Sequence, residues 1–340
     1  MTSIPTMTLQ LPQLRLGSLE LDFPVVQAAL AGYSDWPMRV IARRLGAPYT
    51  MAEVLLDRFV LSVSRGRKVG RYIRVTDEER PCGAQLMGSA SDECAAAAVK
   101  LVEAGFDVID VNFGCPVKKV IGKGRGGYLL GEPKTAIEIV ARVRDAVPPE
   151  VPVTVKMRRG VDDSRQSRDN FYTIFDGVFQ HGAAAVIVHG RTVRQRYDGK
   201  SSWQFVREVK RHAGDRTVLG SGDLFTARKC LEMIAQTGVD GVTAARGAIG
   251  NPWIFQQARA LAAGLAPIVP TLEQQRDVLV EHFRLAEATH GPTRACRRMR
   301  KFGIEYSRLH PQPDAVRAAF LTIANPVQWR KTLEQWYTEP

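Results

Sequence analysis

Short apolar segments rich in valine, isoleucine and alanine recur along the chain. Each is followed by a polar or glycine-rich loop and then by a segment of helical periodicity. This alternation is typical of a parallel sheet whose strands are connected by helices. The predicted strands span residues 25–30, 49–54, 83–87, 108–112, 153–157, 185–189, 217–221 and 241–245. Eight strands are the number that closes a (β/α)₈ TIM barrel, and the alternative is an open, doubly wound sheet.

Helical periodicity fills the gaps between these strands and dominates the last part of the chain. The predicted barrel helices span residues 35–45, 91–104, 133–146, 170–181, 203–211, 226–237 and 252–262. Residues 263–270 contain two prolines and a glycine, which predict a linker. From residue 271 to residue 337 the pattern is almost wholly helical, with breaks at 291–292, 310–313 and 325–326. The fold class is therefore α/β, with a barrel domain over residues 1–262 followed by a small all-α bundle over residues 271–340.

Composition narrows the class of protein. The chain has 340 residues, of which 45% are hydrophobic and 24% are charged, as in ordinary soluble globular proteins. No apolar run approaches the roughly 20 residues of a membrane span, and the first residues do not resemble a signal peptide, so we expect a cytoplasmic protein without a membrane partner. The five cysteines include no CxxC pair, so neither a disulfide framework nor a metal site is expected. Nothing in the sequence indicates an obligate protein partner.

The charge balance favours a polyanionic partner. The chain has 47 Lys and Arg against 35 Asp and Glu, a net charge of +12, which suits RNA, although a merely basic soluble enzyme is the alternative. Basic residues are concentrated in three stretches, 65–74, 191–196 and 294–301. All three would suit contacts with phosphates.

Proton-handling side chains follow three consecutive predicted strands. Cys115 stands between Gly114 and Pro116 just after the fourth strand, while Lys156 and His189 end the next two. A lone cysteine is more often a buried apolar residue, and a lone strand-end lysine is more often solvated. Because the active sites of TIM barrels lie at the carboxyl ends of the strands, three such residues in succession predict one composite site.

The loops after the last two strands are rich in small residues. They contain Ser221-Gly222-Asp223 and Ala245-Arg246-Gly247, and ordinary glycine turns are the alternative explanation of either loop. In barrels the phosphate of a ligand often lies at these loops, so a phosphate-bearing cofactor is expected. The GxGxxG pattern at residues 122–127 does not follow a strand directly and does not indicate a dinucleotide-binding fold.

In order and spacing, these features resemble the tRNA-dihydrouridine synthase family across essentially the whole chain. The residues that carry the resemblance are Ala31-Gly32-Tyr33-Ser34-Asp35-Trp36-Pro37, Gln85-Leu86-Met87-Gly88, Asn112-Phe113-Gly114-Cys115-Pro116, Lys156-Met157-Arg158, His189-Gly190-Arg191-Thr192, Gln195-Arg196-Tyr197, Gly222-Asp223, Arg246-Gly247 and Gly250-Asn251-Pro252-Trp253. Three positions depart from the family: Ala29 replaces its usual proline, Ser221 its usual asparagine, and Ala244-Ala245 its usual Ile-Gly.

The resemblance implies the cofactors and the chemistry. NADPH would reduce a bound FMN, the flavin would deliver hydride to C6 of a uridine in tRNA, and Cys115 would donate a proton to C5. The residues expected to bind FMN are Ala29, Gln85, Lys156, His189, Ser221, Gly222, Asp223, Ala245, Arg246 and Gly247. The residues expected to bind substrate are Asn112, which would orient the uracil, and Arg158, Arg191, Arg196, Arg297, Arg298 and Lys301.

Two other functions remain open at this point. One is a flavin barrel that acts on a free pyrimidine, similar to dihydroorotate dehydrogenases, and the other is a tRNA-binding protein without catalysis. The helical C-terminal segment and the net charge of +12 argue against the first. The presence of Cys115, Lys156 and His189 argues against the second.

Overall fold

Eight parallel strand positions form a nearly closed barrel. The computed structural model describes residues 10–63 and 72–338. Its barrel strands are β3 (Val25–Gln27), β4 (Thr50–Met51), β5 (Leu55–Leu56), β6 (Cys82–Met87), β7 (Val108–Phe113), β8 (Val153–Arg158), β9 (Ala185–His189), β10 (Val218–Ser221) and β11 (Gly241–Ala244). They are ordered β3-β11-β10-β9-β8-β7-β6-β4, and β5 pairs with β6 beyond the end of β4. The N–H of Gln27 donates to the carbonyl of Tyr49 at 3.1 Å and joins the two ends of this order.

This closure confirms the predicted (β/α)₈ barrel, and the open-sheet alternative is wrong. The helices around the barrel are α1 (Trp36–Arg44), α2 (Asp57–Ser62), α3 (Ser91–Glu103), α4 (Lys118–Ile121), α5 (Pro133–Ala146), α6 (Arg165–Gln180), α7 (Trp203–Ala213), α8 (Ala227–Thr237) and α9 (Ile254–Ala262). The short helices α2 and α4 were not predicted. Helix α6 begins at Arg165 rather than at residue 170, because the Ser164 hydroxyl accepts a hydrogen bond from the N–H of Ser167 and caps the helix there.

An unpredicted hairpin closes the amino-terminal end of the barrel. It consists of the antiparallel strands β1 (Leu14–Leu16) and β2 (Leu19–Leu21). Leu14 and Leu16 are buried in one cluster with Val26 of β3, Val108 of β7 and Leu219 of β10. The hairpin therefore fills the bottom of the barrel interior and leaves the opposite end, where the strands finish, for a ligand.

The C-terminal region is helical and packs directly on the barrel. Its helices are α10 (Leu272–His290), α11 (Pro292–Tyr306), α12 (Pro313–Leu321) and α13 (Pro326–Trp336). Their breaks fall where glycine and proline predicted them. The buried core continues from one part into the other, since the rings of Trp253 and Tyr306 meet edge to face with centroids 6.3 Å apart. Among the described helices, none is both long and apolar enough to cross a membrane.

One predicted basic stretch cannot be placed in this fold. Of the residues in 65–74, Arg65, Arg67, Lys68 and Arg71 lie outside the described residues. Arg74 is described, and its guanidinium lies 3.7 Å from the centre of the Trp36 ring.

A buried ion pair joins α1 to the segment that precedes β6. Arg39 is 2% exposed and Glu79 is 0% exposed, and their side chains meet at 2.5 Å and 3.2 Å. Arg39 also donates to the carbonyls of Ser34 and Arg74. Because removal of one partner leaves the other charge buried and unpaired, such a pair resists single substitution.

We expect Glu79→Gln to lower the free energy of unfolding by about 3 kcal/mol or more, measured by urea denaturation. The control is Glu20→Gln, which removes the partner of Arg15 in a pair whose side chains are more than half exposed. That variant should unfold like the wild type. Equal stability of the two variants would contradict the assigned role of the buried pair.

Candidate active site at the barrel mouth

A cleft of about 200 Å³ opens at the carboxyl ends of the barrel strands. It is lined by most of the residues that the sequence marked as catalytic or ligand-binding, namely Ala29, Gln85, Asn112, Cys115, Lys156, Arg158, His189, Ser221, Gly222, Asp223, Ala245 and Arg246. Six others do not line it: Gly247, Arg191, Arg196, Arg297, Arg298 and Lys301. The parallel strand order brings these distant sequence positions to one rim.

Cys115 lies on a tightly held turn directly after β7. The Asn112 side-chain oxygen accepts hydrogen bonds from the backbone N–H groups of Gly114, at 2.9 Å, and Cys115, at 3.0 Å. The Cys115 carbonyl accepts from the N–H of Gly127 at 3.0 Å. Cys115 is partly exposed, whereas the other four cysteines, Cys82, Cys94, Cys230 and Cys296, are buried. Its thiol is therefore the accessible one.

Lys156 lies two residues before the end of β8, and His189 ends the adjacent strand β9; both line the cleft. Burial lowers the pKa of Lys156 to about 8, against the opposing charge of Asp110. Burial and then the charge of Lys156 lower the pKa of His189 to about 2, so this imidazole is neutral near pH 7. The His189 Nδ1 accepts from the N–H of Arg191 at 3.1 Å, which leaves the ring hydrogen on Nε2 as a donor for a ligand. Lys156 donates to the Ser221 hydroxyl at 3.1 Å.

The loop after β10 has a shape that requires glycine. Gly222 has a φ of +112°, and a Cβ at this position would come within 2.3 Å of the Ser201 hydroxyl and 3.2 Å of the His189 ring. The Asp223 carboxylate accepts from the guanidinium of Arg191 at 2.8 Å and 2.9 Å and from the N–H of Ser201 at 2.8 Å. These bonds fix the loop and leave an open cradle beside Gly222.

An exposed cation lies beside this loop, because the Arg246 guanidinium comes within 3.7 Å of the Asp223 carboxylate. The Arg246 guanidinium lies 5.1 Å from the ring centre of Tyr197 and 4.7 Å from that of Phe225. Lys156 supplies a second cation within the same cleft. The two cations outnumber the Asp223 carboxylate that lines the same cleft, which fits an anionic ligand such as a phosphate-bearing cofactor.

Arg158 and Arg191 are buried and hold the rim loops together. Arg158 is 4% exposed and donates to the carbonyls of Gly114, Thr192 and Arg196 at 2.7–2.9 Å. Arg191 is 3% exposed, and besides the Asp223 carboxylate it contacts the carbonyl of Gly199. Arg158 also lines the cleft, whereas Arg191 does not. Arg196, by contrast, is exposed at the rim.

The basic stretch on α11 divides between two surfaces. Arg297 is exposed, whereas Arg298 is turned toward the barrel and pairs with Asp35 at 2.8 Å and with Glu53 at 3.0 Å. Lys301 likewise reaches the barrel and donates to the carbonyl of Gly32 at 3.1 Å. Arg298 and Lys301 therefore join the helical region to the loops beside the cleft.

The negative charges of Asp35 and Glu53 are compensated by side chains of the C-terminal helices. Burial opposes ionisation of Asp35, but the hydrogen bond from His290 and the charge of Arg298 outweigh it, so its pKa is lowered. Burial raises the pKa of Glu53, and Arg298 opposes that rise. One guanidinium thus stabilises a buried carboxylate, that of Asp35, and a partly buried one, that of Glu53.

The sequence patterns assigned no role to Asp110 and Thr154, which lie beneath the cleft. Asp110 is fully buried in β7, and its carboxylate accepts from the Thr154 hydroxyl at 2.7 Å. The signal that could have drawn attention to it is a charged residue within an otherwise apolar strand, since such a residue needs partners. Within residues 10–63 and 72–338, no group of three or more His, Cys, Asp or Glu side chains could hold a metal ion.

The closed barrel and a cleft carrying a thiol, a lysine and a neutral imidazole define a barrel enzyme. The sequence model of the dihydrouridine synthase family matches residues 26–339, and the chain belongs to this family. It is accordingly an oxidoreductase, and membership implies a flavin cofactor.

Relatives of similar length support this assignment. The chain is 34% identical over 320 residues to a probable tRNA-dihydrouridine synthase from Mycobacterium tuberculosis, covering 92% of this chain and 82% of the relative. It is also 34% identical over 307 residues to tRNA-dihydrouridine synthase B from Pseudomonas putida, covering 90% of this chain and 89% of the relative.

Solved structures at low identity share the fold. A histamine dehydrogenase from Rhizobium sp. 4-9 matches with a TM-score of 0.54 and 14% identity over 80% of this chain and 50% of that one. A morphinone reductase mutant in complex with tetrahydroNAD matches with a TM-score of 0.55 and 14% identity over 74% of this chain and 90% of that one.

The neighbours Arg297 and Arg298 provide a matched test of the junction. We expect Arg298→Gln to lower the free energy of unfolding by about 3 kcal/mol, because it leaves the Asp35 and Glu53 carboxylates without their cation. Arg297→Gln should leave stability unchanged, since Arg297 is exposed. Urea denaturation measures both, and equal stability of the two variants would contradict the role of Arg298.

Proposed function

We propose that this protein is a cytoplasmic tRNA-dihydrouridine synthase that carries FMN and uses NADPH to reduce the C5–C6 double bond of uridines in tRNA. The observation that carries the proposal is the cleft in which Cys115, Lys156 and His189 come together, in a chain of the dihydrouridine synthase family. The names of the relatives from M. tuberculosis and P. putida point to the same substrate.

The cleft suits a flavin with its phosphate at the glycine cradle. Gln85, Lys156 and His189 would hold the ring, with Ala29 beside it, and the residues of the last two loops, Ser221, Gly222, Asp223, Ala245, Arg246 and Gly247, would hold the phosphate. When bound, the flavin supplies the hydride that adds to C6 of the uracil. Lys156 and Arg246 carry positive charge at positions that suit an anionic cofactor.

Cys115 is the proton donor in this proposal. As negative charge develops on C5 of the base, the thiol proton passes from Sγ to that carbon, so that one hydride and one proton complete the reduction. Asn112 keeps one of its two Nδ2 hydrogens for a uracil carbonyl, because the other is donated to Gln85. Neutral His189 offers Nε2–H to the ligand.

Positive charge at the rim suits the RNA that presents the uridine. The base has to leave its stack to enter the cleft, at a cost of a few kcal/mol that contacts with phosphates offset. Arg196 and Arg297 are exposed and would make such contacts directly. Arg298 and Lys301 would support binding by holding α11 beside the cleft, and Arg158 and Arg191 by holding the rim loops.

The deciding experiment incubates unmodified tRNA with FMN-loaded protein and NADPH and maps dihydrouridine along the RNA. Dihydrouridine at defined positions is the expected result. Tight flavin binding with reduction of a free pyrimidine but not of tRNA would favour a small-molecule oxidoreductase. Binding of tRNA without any bound flavin would favour a non-catalytic RNA-binding protein.

We expect Cys115→Ala to keep the flavin and its reduction by NADPH yet to lose product by a factor of about 10² or more, the usual size of one general-acid contribution. Stopped-flow absorbance follows flavin reduction, and nucleoside analysis of the tRNA measures the product. The control is Cys230→Ala, which removes a buried thiol on α8 and should retain the activity. Normal product formation by Cys115→Ala would remove this residue from the mechanism.

The double variant Arg294→Gln with Arg297→Gln should bind tRNA more weakly and with a salt dependence reduced by about one counterion per lost phosphate contact. Both side chains are exposed on α11. Titrations at several salt concentrations measure the slope. The control is Arg15→Gln, on the hairpin at the opposite end of the barrel, which should bind like the wild type. Equal slopes for all proteins would exclude this face of α11.

A further inference from the structure

A buried carboxylate lies beneath the cleft and has no role in the chemistry described so far. Asp110 is fully buried in the middle of β7, between the neighbouring strands β6 and β8. Its oxygens accept from the Thr154 hydroxyl at 2.7 Å and from the Gln85 amide nitrogen at 2.8 Å. Each neighbouring strand thus contributes one donor.

From this carboxylate a chain of hydrogen bonds leads to the backbone of the cysteine turn. The Gln85 oxygen accepts from the Asn112 amide nitrogen at 2.6 Å. The Asn112 oxygen in turn accepts from the backbone N–H groups of Gly114 and Cys115 at 2.9 Å and 3.0 Å. We call Asp110, Gln85 and Asn112 the amide relay.

The relay has a single polarity, which the acceptor at its buried end and the donors of the turn at its other end both require. An ionised carboxylate has no hydrogen to donate, so Gln85 must present its NH₂ group to Asp110 and its oxygen to Asn112. Asn112 must then present NH₂ to Gln85 and its oxygen to the turn. If both amides were reversed, the Asn112 NH₂ would face the two N–H groups of the turn, and three donors would meet without an acceptor.

Asp110 has the partners that an ionised carboxylate needs at this depth. Burial raises its pKa, and the hydrogen bonds from Thr154 and Gln85, together with the charge of Lys156, oppose the rise. Both neighbours have a hydrogen to donate to this carboxylate, one from a hydroxyl and one from an amide NH₂ group.

We propose that Asp110 is a positioning residue that orients the Gln85 and Asn112 amides and thereby holds the turn that presents Cys115. It touches neither substrate nor cofactor and acts through its two relay partners. Asp110 holds this turn in the protein without substrate. Its effect on turnover rests on the proposed function of Cys115 as proton donor.

The first test is Asp110→Asn, which keeps the size of the side chain but can present either an oxygen or an NH₂ group to Gln85. The readout is the rate at which iodoacetamide alkylates the flavin-loaded protein, which reports Cys115 because the other four cysteines are buried. We expect alkylation to accelerate roughly tenfold, the factor that corresponds to one or two weakened buried hydrogen bonds. Turnover with tRNA should fall, with kcat affected more than KM.

Two companion variants separate the relay from general damage. Thr154→Val removes the other hydrogen bond to the same carboxylate and leaves the relay intact, so alkylation should stay near the wild-type rate. Gln85→Met interrupts the relay and leaves the Asp110 carboxylate in place with its hydrogen bond from Thr154, and it should accelerate alkylation as Asp110→Asn does. Thermal unfolding identifies any variant that does not fold, and Gln85→Met carries the test if Asp110→Asn is one of them.

The pH dependence of the alkylation rate distinguishes an effect of Asp110 on the position of the turn from an effect of its charge on Lys156. Loss of the Asp110 charge would lower the pKa of Lys156 below its value of about 8, so an effect through Lys156 would disappear at low pH and would be absent from Gln85→Met. The relay predicts that both variants differ from the wild type across the pH range. A change confined to Asp110→Asn and abolished at low pH, or wild-type alkylation rates in both variants, would overturn the proposal.

The alkylation assay needs neither tRNA nor a reductant. If the wild type forms no dihydrouridine while both relay variants expose the thiol, the proposed function fails and the relay stands. If dihydrouridine forms but the relay variants alkylate like the wild type, the relay fails and the proposed function stands.

Discussion

Compensation of buried charge is the constraint on which the barrel mouth depends. Asp110 and Lys156 lie on neighbouring strands, where either charge alone would carry a large desolvation penalty. The carboxylate remains an acceptor because two donors face it, and its charge favours the protonated form of Lys156 against burial. The charge of Lys156 in turn helps to keep His189 neutral. The protonation states of two side chains in the cleft, Lys156 and His189, are therefore coupled to one carboxylate beneath it.

A second group of buried charges fixes the helical region beside the cleft. Arg298 of α11 is shared between Asp35 and Glu53 on two barrel loops, and His290 at the end of α10 also binds Asp35. These ion pairs and directed hydrogen bonds restrict how the helical region sits on the barrel loops, because removing one partner leaves another charge uncompensated. The junction is stabilising only while all its partners are present.

The barrel could be predicted from the sequence because apolar strands and helical segments alternate eight times. The composite site could be predicted because the carboxyl ends of the strands in such a barrel lie at one rim, near Cys115, Lys156 and His189. The hairpin of β1 and β2 could not, because strands of three residues carry too little periodicity to detect. The role of Asp110 was also out of reach, since its partners lie 25 and 44 residues away and meet only through the order of the strands.

The positions of the charged residues in the fold could not be predicted from the sequence either. A net charge of +12 and clustered arginines favour an RNA partner, yet the clusters do not act as units. Within 191–196, Arg191 is buried against Asp223 while Arg196 is exposed, and on α11 Arg298 turns inward while Arg297 turns outward. Helical and loop geometry sends adjacent side chains to opposite sides, so a basic run divides its residues between scaffold and surface. Only the exposed arginines of each basic stretch are accessible to phosphates. The arginines that face inward hold the loop or helix that carries the exposed ones.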